Sequence, residues 1–252
     1  MTARSAGGAS YWPDPGEIAG RPLRRFRVGV SAEALALAWA HMESAPHGAA
    51  VIVEHELSGR NRLGEPWGLG PDSTLSFAVI LRPTLSDPNR DAVWLASGLA
   101  AAEGLEALSG RSLAVWWPDC IVERDSHAYL GHIYAEVELG PGGVQDAVTT
   151  FRMDLRAIGS PRQEDAIEAV LEAMERHFEH LDSGDEGLAV LAADYSRRCA
   201  LLGCRVKARL MPKGETRGIF NGVEPSGCLE LASATGMMER LPVDVVRALE
   251  LR

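Results

Sequence analysis

The chain has 252 residues, of which 46% are hydrophobic and 24% charged, and its formal net charge is −10. This length is sufficient for a buried core without disulfides or a structural metal, and the composition excludes disorder over most of the chain. The acidic balance argues against nucleic-acid binding, because proteins that bind a phosphate backbone normally present a basic surface.

The expected cellular location is the cytoplasm. The four cysteines have no C-x-x-C spacing, which favours reduced thiols over a disulfide framework. The first residues lack an apolar signal core, and no apolar stretch approaches the length of a membrane span. We therefore expect neither secretion nor a membrane partner.

The start of the chain predicts an arm, a strand and a helix. Residues 1–20 are rich in Gly, Pro and Ala, which is typical of a flexible N-terminal arm. Alternation over 26–30 predicts a short strand, and Ser31 occupies the N-cap position of a helix over 32–42. The arginine-rich run 21–27 is interpreted as a solvated face.

The middle of the chain predicts a mixed sheet flanked by helices, which is the α/β (α+β) class. Runs of Ala, Val and Ile predict buried strands, and an Ala-rich stretch predicts a helix. A polar loop with two glycines, residues 58–67, follows the first of these strands. The predicted strands are 49–54, 74–82, 113–117, 129–139 and 148–155, and the predicted helix is 91–108.

Two helices and a group of short strands follow. Ser160, Pro161 and Gln163 have the spacing of a capping box at the start of one helix. A second helix carries apolar residues over 188–199, with Gly203 as its C-cap. Short strands separated by turn residues come next and predict a small β-barrel. The expected division is an arm over 1–20, a larger domain over 21–195 and a barrel domain over 196–252.

The 58–67 loop carries the most specific chemical signal. Gly59 and Gly64 allow the backbone to turn and to approach a ligand closely. Arg60 and Arg62 supply permanent charges that can hold a carboxylate or a phosphate, and Trp67 can cover an apolar ligand. About half of such matches would be solvated arginine-rich turns, so the loop alone leaves both interpretations open.

The order of motifs around this loop matches one known family. Residues 59–67 fit a family loop that reads roughly G-R-G-R-x-G-x-x-W, and residues 116–120 echo a family strand end, K-W-P-N-D. Residues 129–133 fall where the family has K-L-A-G-I, and residues 227–231 lie in a segment similar to its C-terminal barrel. The pattern resembles the catalytic domain of biotin–protein ligases, which belong to the biotin/lipoate ligase superfamily.

The resemblance implies a mixed sheet flanked by helices, followed by a small SH3-like β-barrel domain. It implies that ATP, with Mg²⁺, converts biotin, lipoate or another small carboxylic acid to an acyl-adenylate, and that a lysine of a carrier-protein domain accepts the acyl group. A homodimer through a sheet edge is compatible with it. By position, Arg60 and Arg62 would be catalytic, and the ligand-binding residues would be Ser31, Glu56, Gly59, Arg60, Arg62, Trp67, Asp119, Tyr129 and Arg152.

Several family positions are changed in this chain. Tyr129 replaces the lysine that in the family holds the acyl carboxylate and the α-phosphate, Trp116 replaces another lysine, and no lysine precedes Lys207. Thr150 and Arg152 replace two glycines of the family's G-x-G-x-N strand. Loss of one preorganised cation at a phosphoryl centre costs roughly 3–4 kcal/mol of transition-state stabilisation, or about 10²–10³ in rate.

The expected function is therefore that of a degenerate biotin–protein ligase-like protein, which binds a small carboxylic acid or acyl-adenylate with weak, altered or no ligase activity. The alternative is an active biotin/lipoate-type ligase or acyltransferase. A third interpretation, a structural interaction module, predicts that Arg60 and Arg62 are ion-paired away from any pocket. No histidine is placed to activate Cys120, so an inert thiol is expected. No metal site is predicted, because His127 and His132 point to opposite faces of a strand.

Overall fold

The computed structural model describes residues 13–67, 73–159 and 161–252, which form two β-sheets and four α-helices. The strands of the larger sheet are β1 (Asp14–Ile18), β2 (Arg21–Gly29), β3 (Ala50–Glu56), β4 (Thr74–Leu81), β5 (Leu113–Trp116), β6 (Cys120–Glu123), β7 (Tyr129–Gly140) and β8 (Gly143–Asp154). The helices are α1 (Ala32–Glu43), α2 (Ala92–Ser109), α3 (Gln163–Asp182) and α4 (Gly184–Arg198), and a 3-10 turn spans Asp87–Asn89.

The larger sheet has the strand order β1-β2-β3-β4-β8-β7-β6-β5. It is mixed, because β2 and β3 run parallel whereas the other neighbouring strands run antiparallel. Val51 and Ala78 pack with α1 on one face. Ile52 and Phe77, one position away, belong to the cluster that contains α2 and α3 on the other face. The predicted mixed sheet flanked by helices is confirmed.

A capping residue sets the start of helix α1, and small side chains allow it to pack on the sheet. The Ser31 hydroxyl accepts a hydrogen bond from the Ala34 N–H at 3.1 Å, which confirms the predicted N-cap. Ala32, Ala36 and Ala40 recur every four residues and are buried, so the helix lies close against the sheet. The N-terminus of α1 is thereby held beside the end of β3.

Helix α2 is buried along most of its length because it lies between the sheet and α3. A Cβ on Gly104 would come within 2.6 Å of the Ala169 carbonyl oxygen and 2.8 Å of the Val170 Cα. Only glycine therefore allows the two helix backbones to approach this closely. None of the helices in the described part of the chain is long and apolar enough to cross a membrane.

The C-terminal part forms a small antiparallel sheet of short strands, and the SH3-like barrel expected from the sequence stays a prediction. Its strands are β9 (Arg205–Leu210), β10 (Glu215–Val223), β11 (Leu229–Ala232), β12 (Met238–Leu241) and β13 (Val246–Leu251), in the order β12-β11-β10-β9-β13. Phe220, Leu229 and Val246 are buried between this sheet and its neighbours. The sheet contacts α4, since the Val223 N–H donates to the Ser196 hydroxyl at 3.0 Å.

The N-terminal segment differs from the sequence prediction. Asp14–Ile18, expected within a flexible arm, forms β1 and pairs antiparallel with β2. Ala19 and Gly20 make the tight turn between them with φ values of 49° and 70°. The alternation of the strand was masked by its Pro and Gly. Residues 1–12 of the predicted arm lie outside the described residues.

The arginine-rich run was interpreted as a solvated face, and this interpretation was incomplete. The run lies within β2, and Arg21, Arg24 and Arg25 pair with acids of two helices. Arg21 contacts Glu175 at 2.6 Å, and Arg25 contacts Glu164 at 2.9 Å. Arg24 pairs with an acid of α1 and lies 4.2 Å above a tryptophan ring of the same helix. These side chains therefore attach β2 to α1 and α3.

Two predicted helix ends and two strands also differ. Helix α3 begins at Gln163 after Arg162, so Pro161 precedes the helix, and Ser160 lies outside the described residues. Helix α4 ends at Arg198 with Cys199 as its C-cap; Gly203 follows in a turn with a φ of 76°. Strands β6 and β13 were missed because they are short and lie next to turn-forming residues.

We predict that Gly104→Ala destabilises the protein despite the higher helix propensity of alanine. The added methyl group meets the α3 backbone, which cannot move as a side chain can, and we expect the free energy of unfolding to fall by about 1–3 kcal/mol. Urea unfolding measures this change. Gly142→Ala is the matched control, since nothing lies within 4 Å of its Cβ position. Equal stability of the two variants would contradict the close α2–α3 contact.

Candidate functional site

The 57–67 loop crosses the end of the larger sheet, on the face that carries α1. Its first residues continue the pairing with β2, because the Leu57 and Ser58 N–H groups donate to the carbonyls of Gly29 and Val30. Its two ends meet where the Trp67 N–H donates to the Gly59 carbonyl at 2.9 Å. The loop is therefore anchored at both ends.

The side chain of Asn61 organises the tip of this loop. Its carbonyl oxygen accepts hydrogen bonds from the N–H groups of Leu63 and Glu65, each at 3.0 Å. This residue stands where the family motif has a glycine. The tip is thus closed by its own hydrogen bonds and needs no ligand to hold its shape.

A fully buried ion pair lies beneath the loop. Arg152 on β8 donates from Nε to the Glu56 carboxylate at 2.7 Å and from a terminal nitrogen at 3.0 Å. Another terminal nitrogen donates to the Arg60 carbonyl at 2.9 Å. The guanidinium therefore joins β8, the end of β3 and the loop, and each of its three nitrogens donates to a protein group.

Glu56 also binds the start of α1. Its second carboxylate oxygen accepts a hydrogen bond from the Ala32 N–H at 2.7 Å. The positive end of the helix dipole favours a carboxylate at this position. Ser31 and Glu56, both predicted to contact an acyl ligand, are thus next to each other, but their polar atoms already have partners within the protein.

Arg62 connects the loop to the C-terminal sheet. Its Nε lies 3.1 Å from the Asp119 carboxylate, and its terminal nitrogens donate to the Val246 carbonyl at 2.7 Å and the Arg247 carbonyl at 2.8 Å. Burial raises the pKa of Asp119, and the charge of Arg62 opposes that rise. Arg62 is therefore occupied by an ion pair and two backbone groups.

Arg60 has a different environment. Its side chain is exposed, and one terminal nitrogen donates to the Gly64 carbonyl at 2.6 Å, within the same loop. Within the part of the chain that the structure describes, no acidic side chain pairs with it. Of the two arginines predicted to hold an anion, Arg60 alone keeps a guanidinium that faces solvent.

Aromatic side chains cover the side of the site that faces β7. The Trp67 ring packs edge-on against the His132 ring, with 4.7 Å between the ring centroids. The centroid of the Tyr129 ring lies 6.1 Å from that of Trp67. The Tyr129 hydroxyl lies 2.9 Å from His132 Nδ1. Burial raises the pKa of Tyr129, and burial together with the charge of Arg152 lowers the pKa of His132 to about 3. Both side chains are therefore neutral at pH 7. Tyr129, which stands where the family motif has a lysine, thus carries no charge.

These groups leave a cavity of about 90 Å³ beneath the loop. Sites for drug-sized ligands usually have about 300–1,000 Å³, so this cavity accommodates only a small molecule or water in the conformation observed. Its lining includes three of the predicted ligand-binding residues and five other residues. The lining residues are Val53, Glu54, His55, Glu56, Gly59, Trp67, Thr74 and Ser76.

The structure brings most of the predicted residues into one region. Glu56, Gly59 and Trp67 line the cavity, whereas Ser31, Arg152 and Tyr129 surround it through the contacts described above. Asp119 is separated from the cavity, since it pairs with Arg62 on the side of the C-terminal sheet.

The sequence missed His132 as a contact of the aromatic cover and Ser76 as a lining residue. Ser76 is the cross-strand partner of Arg152, but a serine within an apolar strand gives no signal of this in the sequence. Next to Asp119, burial raises the pKa of the Cys120 thiol well above its usual range, in line with the expected inert thiol.

We predict that acidification destabilises the protein through His132. Its folded-state pKa of about 3 lies below the unfolded value of about 6.5, so its contribution is complete above pH 6.5 and is lost as the pH falls toward 3. Between pH 6.5 and pH 5 the expected loss is about 2 kcal/mol, measurable by urea unfolding. The variant His132→Gln should lose this part of the pH dependence, and His180→Gln should keep it. An unchanged slope in His132→Gln would contradict a buried neutral imidazole.

The known proteins that are similar to this chain are biotin ligases and a ligase-like protein, although no family model matches the chain. The biotin–[acetyl-CoA-carboxylase] ligase of Mycobacterium tuberculosis is 27% identical over 207 residues, which cover 75% of this chain and 75% of the relative. The biotin protein ligase of Aquifex aeolicus, solved with biotin and ATP, superposes with a TM-score of 0.72 at 17% identity, covering 91% of this chain and 99% of the other. A biotin protein ligase-like protein of unknown function from Silicibacter superposes with a TM-score of 0.67 at 16% identity, covering 89% and 95%. In sequence and in fold, the chain is biotin protein ligase-like.

Proposed function

We propose that this protein binds a small carboxylic acid beneath the 57–67 loop, and that it has lost efficient ATP-dependent ligation. The observation that carries the proposal is the buried Arg152–Glu56 ion pair, which fills the space between the loop and β8. A fully buried pair of this kind is strongly coupled to its surroundings, and removing one partner costs about 3–5 kcal/mol. Arg152 is therefore a fixed part of the site.

The residues present do not fit ATP as the family motif would bind it. The two positions where the resemblance implies glycine carry Thr150 and Arg152, and both side chains are fully buried. Adenine needs close access to the backbone there, and side chains occupy that space. The Aquifex aeolicus protein was solved with biotin and ATP, so the difference concerns the side chains rather than the fold.

The charge needed for adenylation is also missing. At the position of the family lysine, Tyr129 presents a neutral phenol, which stabilises a pentavalent phosphoryl group less than an ammonium does. Arg152 cannot substitute, because its guanidinium is bound to Glu56 and the Arg60 carbonyl. The loss of one such cation lowers the rate of adenylation by about 10²–10³-fold. The side chains in the nucleotide space would lower it further.

Binding of an anion is the activity that the site retains. Arg60 follows the cavity-lining Gly59 in the chain, faces solvent, and can bind a carboxylate by two parallel hydrogen bonds. Trp67 supplies an apolar surface for the remainder of the acid. Biotin is the first candidate ligand, and lipoate is the second. A carrier-protein domain as acyl acceptor and Mg²⁺ as ATP partner belong to the active alternative.

A homodimer, the further partner implied by the resemblance, would use β1. The other edge of the larger sheet, β5, is covered, because the Ala200 N–H donates to the Val115 carbonyl at 2.9 Å. Strand β1 pairs with β2 on one side, and four of its five residues are exposed.

We predict that Arg60→Ala weakens binding of biotin at least about 10-fold in isothermal titration calorimetry, because a charge-assisted bidentate contact is lost. Arg27→Ala is the control, since Arg27 is also exposed and its loss changes the net charge equally. Absence of binding to the wild type, or equal affinity of Arg60→Ala and wild type, would reject Arg60 as the anion holder.

We predict no ATP–pyrophosphate exchange by the wild type with biotin, lipoate or octanoate. The double variant Glu56→Gln/Arg152→Gly removes both charges together, so it opens the space without leaving a buried charge unpaired. Exchange that appears only in this variant, alone or with Tyr129→Lys, would show that Arg152 is the obstacle. Exchange by the wild type would instead establish the active ligase.

A further inference from the structure

A second cluster of ionisable side chains lies at the opposite end of the larger sheet. His41 is in the last turn of α1, while Glu138 on β7 and Asp146 on β8 are cross-strand partners. One ligand atom from each of these three residues lies within 4.8 Å of the others. His41 lies nine positions after Ala32 in α1, and at about 1.5 Å per residue this places the cluster about 14 Å from the loop end of the helix.

The three groups come from rigid elements and face the same groove. His41 Nε2 lies 2.6 Å from the Glu138 carboxylate, and both side chains are about half exposed. Asp146 is 5% exposed, and its carboxylate forms the floor of the groove. The groove has a volume of about 730 Å³, so solvent and ions can reach all three groups.

Arg82 fixes the orientation of Asp146. Its Nε lies 2.9 Å from Asp146 Oδ1, and the same guanidinium donates to the Ala45 carbonyl. This arrangement leaves the other oxygen of Asp146 for a ligand. A charged partner behind a metal-binding carboxylate is a common way to hold the ligand in place.

We propose that His41, Glu138 and Asp146 form a binding site for a divalent transition-metal cation, with zinc as the first candidate. One imidazole and two carboxylates are ligand types that Zn²⁺ accepts, and three protein ligands leave a fourth position for water in the open groove. The two carboxylates and Arg82 sum to a charge of −1 when His41 is neutral, so a dication is attracted to the cluster. The imidazole binds the metal as the neutral base, in place of its contact with Glu138.

This site is independent of the proposed function. It uses no residue of the 57–67 loop, and it lies at the other end of α1 from Ser31. Bound metal would join the end of α1 to the β7–β8 hairpin at the place where the His41–Glu138 contact joins them. The inference would stand whether or not the loop site binds an acid.

Calorimetric titration of the chelator-treated full-length protein with ZnCl₂ tests the site. We expect one zinc per chain, and a loss of affinity of more than about 100-fold in His41→Ala and in Glu138→Gln, since removal of a ligand exceeds the 10–100-fold effect of outer-shell changes. His180→Ala is the control for loss of one histidine elsewhere. His41 and Glu138 are about half exposed, so both variants should fold, which circular dichroism checks.

Cobalt provides a second readout, because visible absorption of Co²⁺ reports its coordination geometry. We expect the wild type to give an intense low-coordinate spectrum that is lost in His41→Ala and retained in His180→Ala. Failure of the wild type to bind zinc would overturn the proposal. So would zinc binding of equal strength in His41→Ala, which would direct the metal to the cysteines instead.

Discussion

The buried contact between Arg152 and Glu56 is the constraint on which the site depends. A guanidinium without solvent exposure must have its donors satisfied, and here they require the end of β3 and a carbonyl of the loop. Glu56 in turn requires the N–H of Ala32 at the start of α1. One ion pair thus fixes the relative positions of a helix, two strands and the loop, and it occupies space that a ligand would need.

Arg62 links the loop to both sheets. Its charge is balanced by Asp119, while its terminal nitrogens bind backbone carbonyls near the start of β13. Opening of the loop at this point would break the ion pair with Asp119 and two hydrogen bonds to backbone carbonyls. The third interpretation requires both arginines to be ion-paired away from any pocket, but Arg62 lines a cavity of about 270 Å³ and Arg60 has no acidic partner among the described residues.

The sequence was sufficient for the fold because its strands and helices are strongly periodic and the loop motif is specific. It was insufficient for short strands such as β6, which has four residues and follows a proline. The pairing of Arg152 with Glu56 could not be predicted, because 96 positions separate them and either side chain could have pointed to solvent. The same holds for His41, whose two acidic neighbours come from distant strands.

The distribution of lysines limits where an activated acyl group could react with this protein. The chain has only Lys207 and Lys213, both in the C-terminal sheet region, and Lys207 is 8% exposed and 2.7 Å from Glu250. A reactive acyl-adenylate that reached this surface from elsewhere would meet no lysine side chain before Lys207. The surface around the site is therefore resistant to self-acylation, and amine-directed labelling or modification would be confined to the C-terminal region and the amino terminus.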